Sequence, residues 1–347
     1  MKNIYLTLIL AGAALFSGTA LTAGNPDRQG EAGANQLLIN PWARTAGLHA
    51  MNTSNVRGAD AMYLNVAGLS RINKLQVQLG HTRYMEGADI GINALGLAKK
   101  VGNGAIGVSL VSFDLGDFFQ TTEDVPGGTG AIFSPNFFNM TVSYSHLFDK
   151  VSVGVSAKFV NEAVTNVSAR AFALDAGVQY FSGDNDEFKF GISLRNVGSK
   201  MRFAGEGLST PRPNPNININ DYPITYYQRS SAYELPSQLN IGLSYDWLLS
   251  KRDRITFVGN FTSNAFSRDQ VGGGIELALG ELFSLRAGYK TELNAGDQGT
   301  LDNGLSAGLS VQLPLKKDSE SRLALDYAYR ATRVYNGIHN FGLRIDL

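Results

Sequence analysis

The chain has 347 residues, with 30 basic and 30 acidic side chains, 39 glycines and no cysteine. Balanced charge without a basic run excludes nucleic-acid binding of the electrostatic kind. The lack of cysteine excludes a disulfide framework, a thiolate metal site and a lipidated N-terminal cysteine. The four histidines, His49, His81, His146 and His339, share no metal-ligand spacing, so neither metal nor cofactor is expected.

Residues 1–23 read as a secretory signal peptide. Lys2 gives the charged start, Ile4 to Phe16 the apolar core, and small residues lead to cleavage after Ala20 or Ala23. Residues 24–34 are polar and glycine-rich, a mobile lead-in. Residues 35–69 do not alternate. Asn40-Pro41 predicts a helix start with Asn as cap and Pro at the first helical position. Trp42, Ala43, Ala46, Leu48 and Met51 then line one side of the helix. The small-residue stretch from Gly58 to Leu69 reads as a compact segment packed against something. Together, residues 24–69 are expected to form a lead-in and hatch, and residues 70–347 a transmembrane barrel.

From about residue 72 the period becomes two, as in strands with one apolar and one polar face. Leu75, Val77 and Leu79 mark the first strand. Ile90 and Ile92 mark the second, with a slip of phase before Leu95 and Leu97. Ile106, Val108 and Leu110 mark the third. Similar runs recur to the end of the sequence, where Phe341, Leu343, Ile345 and Leu347 share one parity and form a barrel-closing strand. The total is fourteen, the even number of bacterial single-chain barrels. The fold class expected is all-β: a 14-stranded antiparallel transmembrane β-barrel with an N-terminal plug. Loop lengths agree. Every even-to-odd connection is short, whereas the long ones, 114–136 and 198–235, are both odd-to-even. Tyr144, Tyr180, Phe188, Tyr245, Trp247, Phe283 and Tyr289 fall at strand ends, where interfacial girdles sit.

The opposite parity carries Lys74, Lys158, Asp175, Lys189, Arg195, Asp246, Glu276, Arg286, Arg322, Asp326 and Arg344. On the lipid face, Lys or Arg near mid-bilayer would cost about 2–4 kcal/mol each. They are therefore placed in the lumen, as a charge network whose core is Asp175, Arg195, Glu276, Arg286, Arg322 and Asp326. Arg286 and Arg322 are the expected partners of Glu276 and Asp326. Glycine recurs on the same inward parity, at Gly154, Gly177, Gly191, Gly242, Gly272, Gly274, Gly288, Gly308 and Gly342. Inward glycine makes room close to the wall, and residues 35–69 are the segment to fill it.

Ala43-Arg44-Thr45-Ala46-Gly47-Leu48, Gly58-Ala59-Asp60-Ala61 and Asn65-Val66-Ala67-Gly68-Leu69 resemble the hatch region of FadL-like barrels. More closely, they resemble the PorV/PorQ family of Bacteroidetes outer-membrane proteins. Ser193 to Gly198, Tyr233-Glu234-Leu235-Pro236 and Leu285 to Tyr289 extend the resemblance over nearly the whole mature chain. In the FadL-like pattern Asn-Pro-Ala-Gly-Leu, Val66 replaces Pro. The resemblance implies a fourteen-strand barrel in the cell outer membrane, a hatch carrying Trp42, Arg44, Asp60, Asn65 and Gly68, and a role in type IX protein secretion. The partners implied are outer-membrane lipid, the secretion translocon or secreted cargo, and the barrel-assembly machinery. Cargo or translocon would dock on the long outer loops, with Tyr222, Tyr226 and Tyr227 as contact residues. The alternative is a FadL-like channel for hydrophobic small molecules. It needs an apolar pocket beside the hatch and a side opening, yet the lumen parity offers few apolar residues beyond Val160, Val197 and Val258. An enzyme is not expected, because no nucleophile, base and orienter group together and His146 has no evident partner.

Overall fold

The computed structural model describes residues 26–87, 89–213, 223–280, 282–294, 301–315 and 321–347. The expected signal peptide lies outside them. Eighteen strands occur among the described residues: β1 (Leu75–Tyr84), β2 (Ile90–Val101), β3 (Gly104–Asp114), β4 (Phe118–Phe119), β5 (Ile132–Phe133), β6 (Asn136–Phe148), β7 (Val151–Val164), β8 (Val167–Ser182), β9 (Phe188–Gly198), β10 (Ser209–Arg212), β11 (Ile224–Tyr227), β12 (Gln238–Leu248), β13 (Arg254–Asn264), β14 (Gln270–Leu279), β15 (Phe283–Glu292), β16 (Asp302–Pro314), β17 (Arg322–Thr332) and β18 (Ile338–Asp346). β4 with β5, and β10 with β11, are small hairpins in the two long loops. The other fourteen strands close into one antiparallel barrel, sealed where β18 pairs with β1.

Alternation decides which face meets lipid. Leu97, Val108, Val142, Leu174, Leu243, Ile275, Leu309 and Leu325 are all exposed on the outer wall, while their neighbours in sequence point inward. That outward band, on a closed barrel of an even number of strands, is the design of outer-membrane proteins, in which every backbone group is paired and no sheet edge is left open. Tyr245, Trp247, Phe283 and Tyr289 are half-exposed on the same wall near strand ends.

The core of the molecule is the hatch. Trp42, Leu48, Met51, Leu64 and Leu69 are among its largest fully buried side chains, and burial is worth about 1.5–3 kcal/mol for each apolar side chain of this size. Two four-residue helices, α1 (Ala43–Ala46) and α2 (Ala61–Leu64), and a 3-10 turn over Val66–Arg71 are joined by irregular backbone. The first helix begins after the position expected from Asn40-Pro41. Asn40 still acts locally: its side chain accepts from the Trp42 N–H at 3.0 Å and donates to Thr45 at 2.8 Å. The lead-in is likewise held. Ala32 bridges Glu234 in parallel, and Arg28 lies 4.4 Å over the Phe266 ring. The hatch therefore enters from the loop end of the barrel and leaves at the short-turn end, where β1 begins.

Two further expectations are corrected. β2 runs in unbroken register against β1 and β3, with no slip of phase. Ile92 is therefore buried in the lumen, opposite Phe113, and not on the lipid face. In β9 a bulge sets Arg195 and Asn196 against Asp175, and Asn196 adopts a left-handed φ of 59°. Parity reverses beyond it, so Val197 is 45% exposed on the outer wall and does not line the lumen.

Candidate functional site

The wall is shaped to the hatch. A methyl group built on Gly154 would lie 2.8 Å from the Val66 carbonyl. On Gly191 it would lie 2.7 Å from Ser54 Cα, and on Gly308 2.9 Å from Gly47 Cα. Gly274 and Gly288 take Leu48 and Met51 in the same way, and Gly80 and Gly96 take the Trp42 ring. Between the glycines, short polar side chains of the wall bind the hatch backbone. Ser145 donates to Ala67 O at 2.8 Å, Ser193 to Leu64 O at 2.8 Å, and Gln179 to Thr53 O and Val56 O at 3.1 and 3.0 Å. Irregular backbone at membrane depth needs such partners.

The hatch residues singled out from sequence each have a place in this packing. Trp42 is fully buried. Arg44 Nε donates to Asp60 at 2.9 Å, a pair with Asp60 wholly enclosed. Asn65 donates to Thr53 O at 2.9 Å and to Val178 O of the wall at 3.1 Å, and its Oδ1 caps the following turn by accepting from Ala67 N–H. With Val66 in place of proline the turn is still formed. Gly68 is pressed against Val56 within the hatch itself.

The lumen charges do not form one network. On β14–β18, Glu276 accepts from Arg286 at 2.6 Å and from Arg254 at 3.1 Å. Ser310 links Arg286 to Asp326, and Arg344 reaches Asp326 at 3.6 Å and Asp346 at 3.0 Å. Asp326 is thus served by Arg344, where Arg322 was expected. Arg322 and Asp326 sit four residues apart on one strand, and Arg322 instead lines the cavity at the short-turn end. Lys74 precedes β1 and is exposed. Asp175 pairs with Lys158 at 2.5 Å and receives the Asn196 N–H at 2.7 Å, on a different sector of the wall. Arg195 crosses to the hatch, donating to Leu37 O at 3.3 Å, with its guanidinium 4.1 Å over the Tyr63 ring.

Three cavities follow the hatch through the barrel. At the short-turn end one of about 300 Å³ is walled by the paired charges together with Arg57 and Arg71. At the loop end one of about 280 Å³ lies between the hatch and the strand ends. Its lining includes Leu38, Ile39 and Leu64 among apolar residues and Arg195, Lys290 and Arg330 among charged ones. Ile39 and Tyr63 also line a third cavity of about 30 Å³, which runs down to Trp42, Met62 and Val111. These two hatch residues therefore stand between the outer and inner cavities. Sequence reasoning missed Ile39, Tyr63, His49, Lys290 and Arg330. Lys290 and Arg330 carry the inward parity of Arg286 and Asp326, which was signal enough to find them. Outside, a concavity of about 800 Å³ crosses the β1–β18 seam, floored by Leu79, Leu95, Leu325 and Phe341, with His81 and Asn93 hydrogen-bonded at 2.8 Å within it. The strands beneath are paired in full register, so it has no passage to the lumen. Of the loop tyrosines, Tyr226 and Tyr227 lie exposed on β11, and Tyr222 falls outside the described residues.

Residues 119–210, about a quarter of the chain, match the family described as "Putative MetA-pathway of phenol degradation". No curated protein matches. Among solved structures the chain is similar to the CymD monoaromatic hydrocarbon channel, at 15% identity and TM-score 0.53, covering 89% of this chain and 97% of that one. It is also similar to the Ralstonia pickettii toluene transporter TbuX, at 11% identity and TM-score 0.54, covering 88% and 97%. A Pseudomonas aeruginosa FadL homologue matches at 12% identity and TM-score 0.52, covering 88% and 98%. The fold is therefore that of FadL-like barrels, and the chain is an integral outer-membrane barrel. These likenesses run to proteins described as channels and transporters. They do not carry the secretion role expected from the hatch motifs.

Proposed function

We propose that this protein is an outer-membrane channel for small hydrophobic molecules, gated by its hatch. The carrying observation is the outer cavity beside the hatch. It is a space of about 280 Å³ with polar and apolar lining, near the lower end of ordinary ligand sites, and Ile39 and Tyr63 stand between it and a smaller cavity of mixed lining that includes Trp42, Met62 and Val111. The shortage of apolar lumen residues that weakened this reading is made good by Ile92, Phe113 and Val111, which face inward on β2 and β3 beside the hatch. Similar barrels described as monoaromatic hydrocarbon channels and toluene transporters support the same class of substrate.

The route must run through the hatch. The barrel is closed by paired strands, with irregularities at the β9 bulge and near the loop end of β16, and the inner cavity of about 30 Å³ is too small for an aromatic ring. Passage then requires the hatch to shift away from the glycine-lined wall. Toluene uptake by vesicles containing the purified barrel, compared with empty vesicles, tests the reading. Faster uptake supports it, and equal uptake sinks it.

A secretion role is the second reading, favoured by the hatch motifs and by Tyr226 and Tyr227, half-exposed on an outer hairpin. Deletion of the chain from its host distinguishes the two. Cargo retained in the periplasm supports secretion, and unchanged export with impaired growth on hydrophobic substrates supports the channel.

A further inference from the structure

The ion pairs at the short-turn end leave two arginines out. The cavity there, of about 300 Å³, is lined by eight Arg or Lys side chains against three of Asp or Glu. Lys189 pairs with Asp246, Arg254 and Arg286 with Glu276, and Arg344 with Asp346. Arg44 is answered by Asp60, and Arg322 is also engaged. Arg57 and Arg71, both of the hatch, form no ion pair among the described residues. Arg71 donates Nε to Ser152 and Nη2 to the Lys150 carbonyl, each at 3.3 Å, and both partners are neutral. The two guanidiniums are nonetheless held over one ring. Arg71 Cζ lies 3.5 Å from the Phe181 centroid and Arg57 Cζ 5.2 Å from it, and Phe181 is wholly buried. A ring face attracts each cation but does not relieve the repulsion between them. In the same lining Arg344 is 2% exposed, and its Nη1 has no hydrogen-bond partner.

We infer that the short-turn cavity is a binding site for a phosphate group, held between Arg57 and Arg71. Guanidinium forks match phosphate oxygens in pairs. A phosphate monoester carries a charge of about −1.5 to −2 and three acceptor oxygens, so one group offsets both arginines. A carboxylate, with one charge and two oxygens, offsets one. The arginines come from separate stretches of the hatch: Arg57 precedes Gly58, and Arg71 closes the Val66–Arg71 turn. Arg57 is exposed to the cavity. A space of about 300 Å³ admits the phosphate with a small body attached. Bound there, the group ties the two hatch stretches together at the end of the lumen opposite the outer cavity. Two sources present this chemistry on the periplasmic side, a soluble phosphate and the head of a phosphomonoester lipid. The inference does not depend on the channel reading.

The test uses the whole barrel in phosphatidylcholine nanodiscs at low ionic strength, read by titration calorimetry. The probes are inorganic phosphate and short-chain phosphatidic acid, with sodium chloride at matched ionic strength as the blank. Wild type binds phosphate in a single saturable phase. Arg57→Met, at an exposed side chain whose loss breaks no ion pair, lowers the affinity by about tenfold to a hundredfold, the range for hydrogen bonds to charged groups. Arg57→Lys keeps the charge, loses the fork and falls between the two. Arg71→Met, checked for a folded barrel by its heat-dependent gel mobility, loses phosphate in the same sense and covers the case in which the Arg57 variants fail to assemble. Lys200→Met, a surface cation paired with Glu234, leaves binding unchanged. Saturable binding of phosphatidic acid alone, with the same dependence on Arg57, keeps the site and identifies a lipid head as its occupant. If neither probe saturates, or if binding ignores both Arg57 and Arg71, the site is overturned and the channel reading stands as before.

Discussion

The two ends of the lumen are built on the same inward parity and do opposite things with charge. At the short-turn end Glu276, Arg286, Ser310, Asp326 and Arg344 form a continuous chain of ion pairs and hydrogen bonds, with Arg44 and Asp60 of the hatch beside it. At the loop end Arg330 Nε and Nη2, the two ring nitrogens of His49 and Asn240 Nδ2 are buried without a hydrogen-bond partner. Paired charges tie hatch and wall at the short-turn end, where Arg344 Nη1 and Asp326 Oδ2 lie 3.6 Å apart as an ion pair without a hydrogen bond.

Substitutions at the two ends should therefore part company. The largest loss is expected from Asp60→Ala, which leaves the part-buried Arg44 with its bond to the Arg57 carbonyl but without its carboxylate. Breaking a fully buried pair costs about 3–5 kcal/mol, which is the upper bound here because Arg44 is 19% exposed. Hydrogen exchange would show residues 42–72 losing protection while the barrel strands keep theirs. Uniform loss across the strands would show that the hatch is not a separate unit.

Next comes the glycine lining. Gly154→Leu must displace the Val66 carbonyl, and overpacking of this kind costs about 1–3 kcal/mol. Gly259→Leu, at an outward position where an added methyl meets nothing, should stay within about 0.5 kcal/mol. Thermal midpoints of the two variants, measured side by side, sharpen the claim that the inward glycines are seats for the hatch. Equal midpoints would leave the glycines as a device for curvature alone. Asn65→Ala removes the cap of the Val66–Arg71 turn and the bond to Val178 O, and should cost about 1–3 kcal/mol by the same measurement.

Smallest in cost is Arg330→Met at the loop end, expected to leave the thermal midpoint unchanged or raise it, because it removes a buried charge whose Nε and Nη2 have no hydrogen-bond partner. A large loss of thermal stability there would show that the donors are structural after all and would erase the contrast between the two ends.

Much of this was legible beforehand. A strand that faces lipid on one side must alternate, so the fourteen strands, the inward charges and the glycine seats could be read from period two. The errors come from places where the lumen is not watery or the strand is not regular. Ile92 looked lipid-facing because it is apolar, but it points inward opposite Phe113 and is wholly buried. Val197 looked lumen-facing because the bulge at Asn196 is set by distant partners, the Asp175 carboxylate and the Pro236 carbonyl. The outer cavity was missed because its residues come from hatch, β9, β12, β15 and β17 at once, and no local pattern assembles them.

The most direct measurement locks the hatch to the wall. The chain has no cysteine, and a methyl group on Gly342 would lie 3.4 Å from Ala43 Cβ, close to the roughly 3.5–4.5 Å between Cβ atoms in a disulfide. Ala43→Cys with Gly342→Cys should therefore form a disulfide between hatch and wall on oxidation. Toluene uptake by vesicles carrying this variant should fall to that of empty vesicles when oxidised and return on reduction. Uptake that proceeds unchanged through the locked barrel would contradict a channel gated by its hatch.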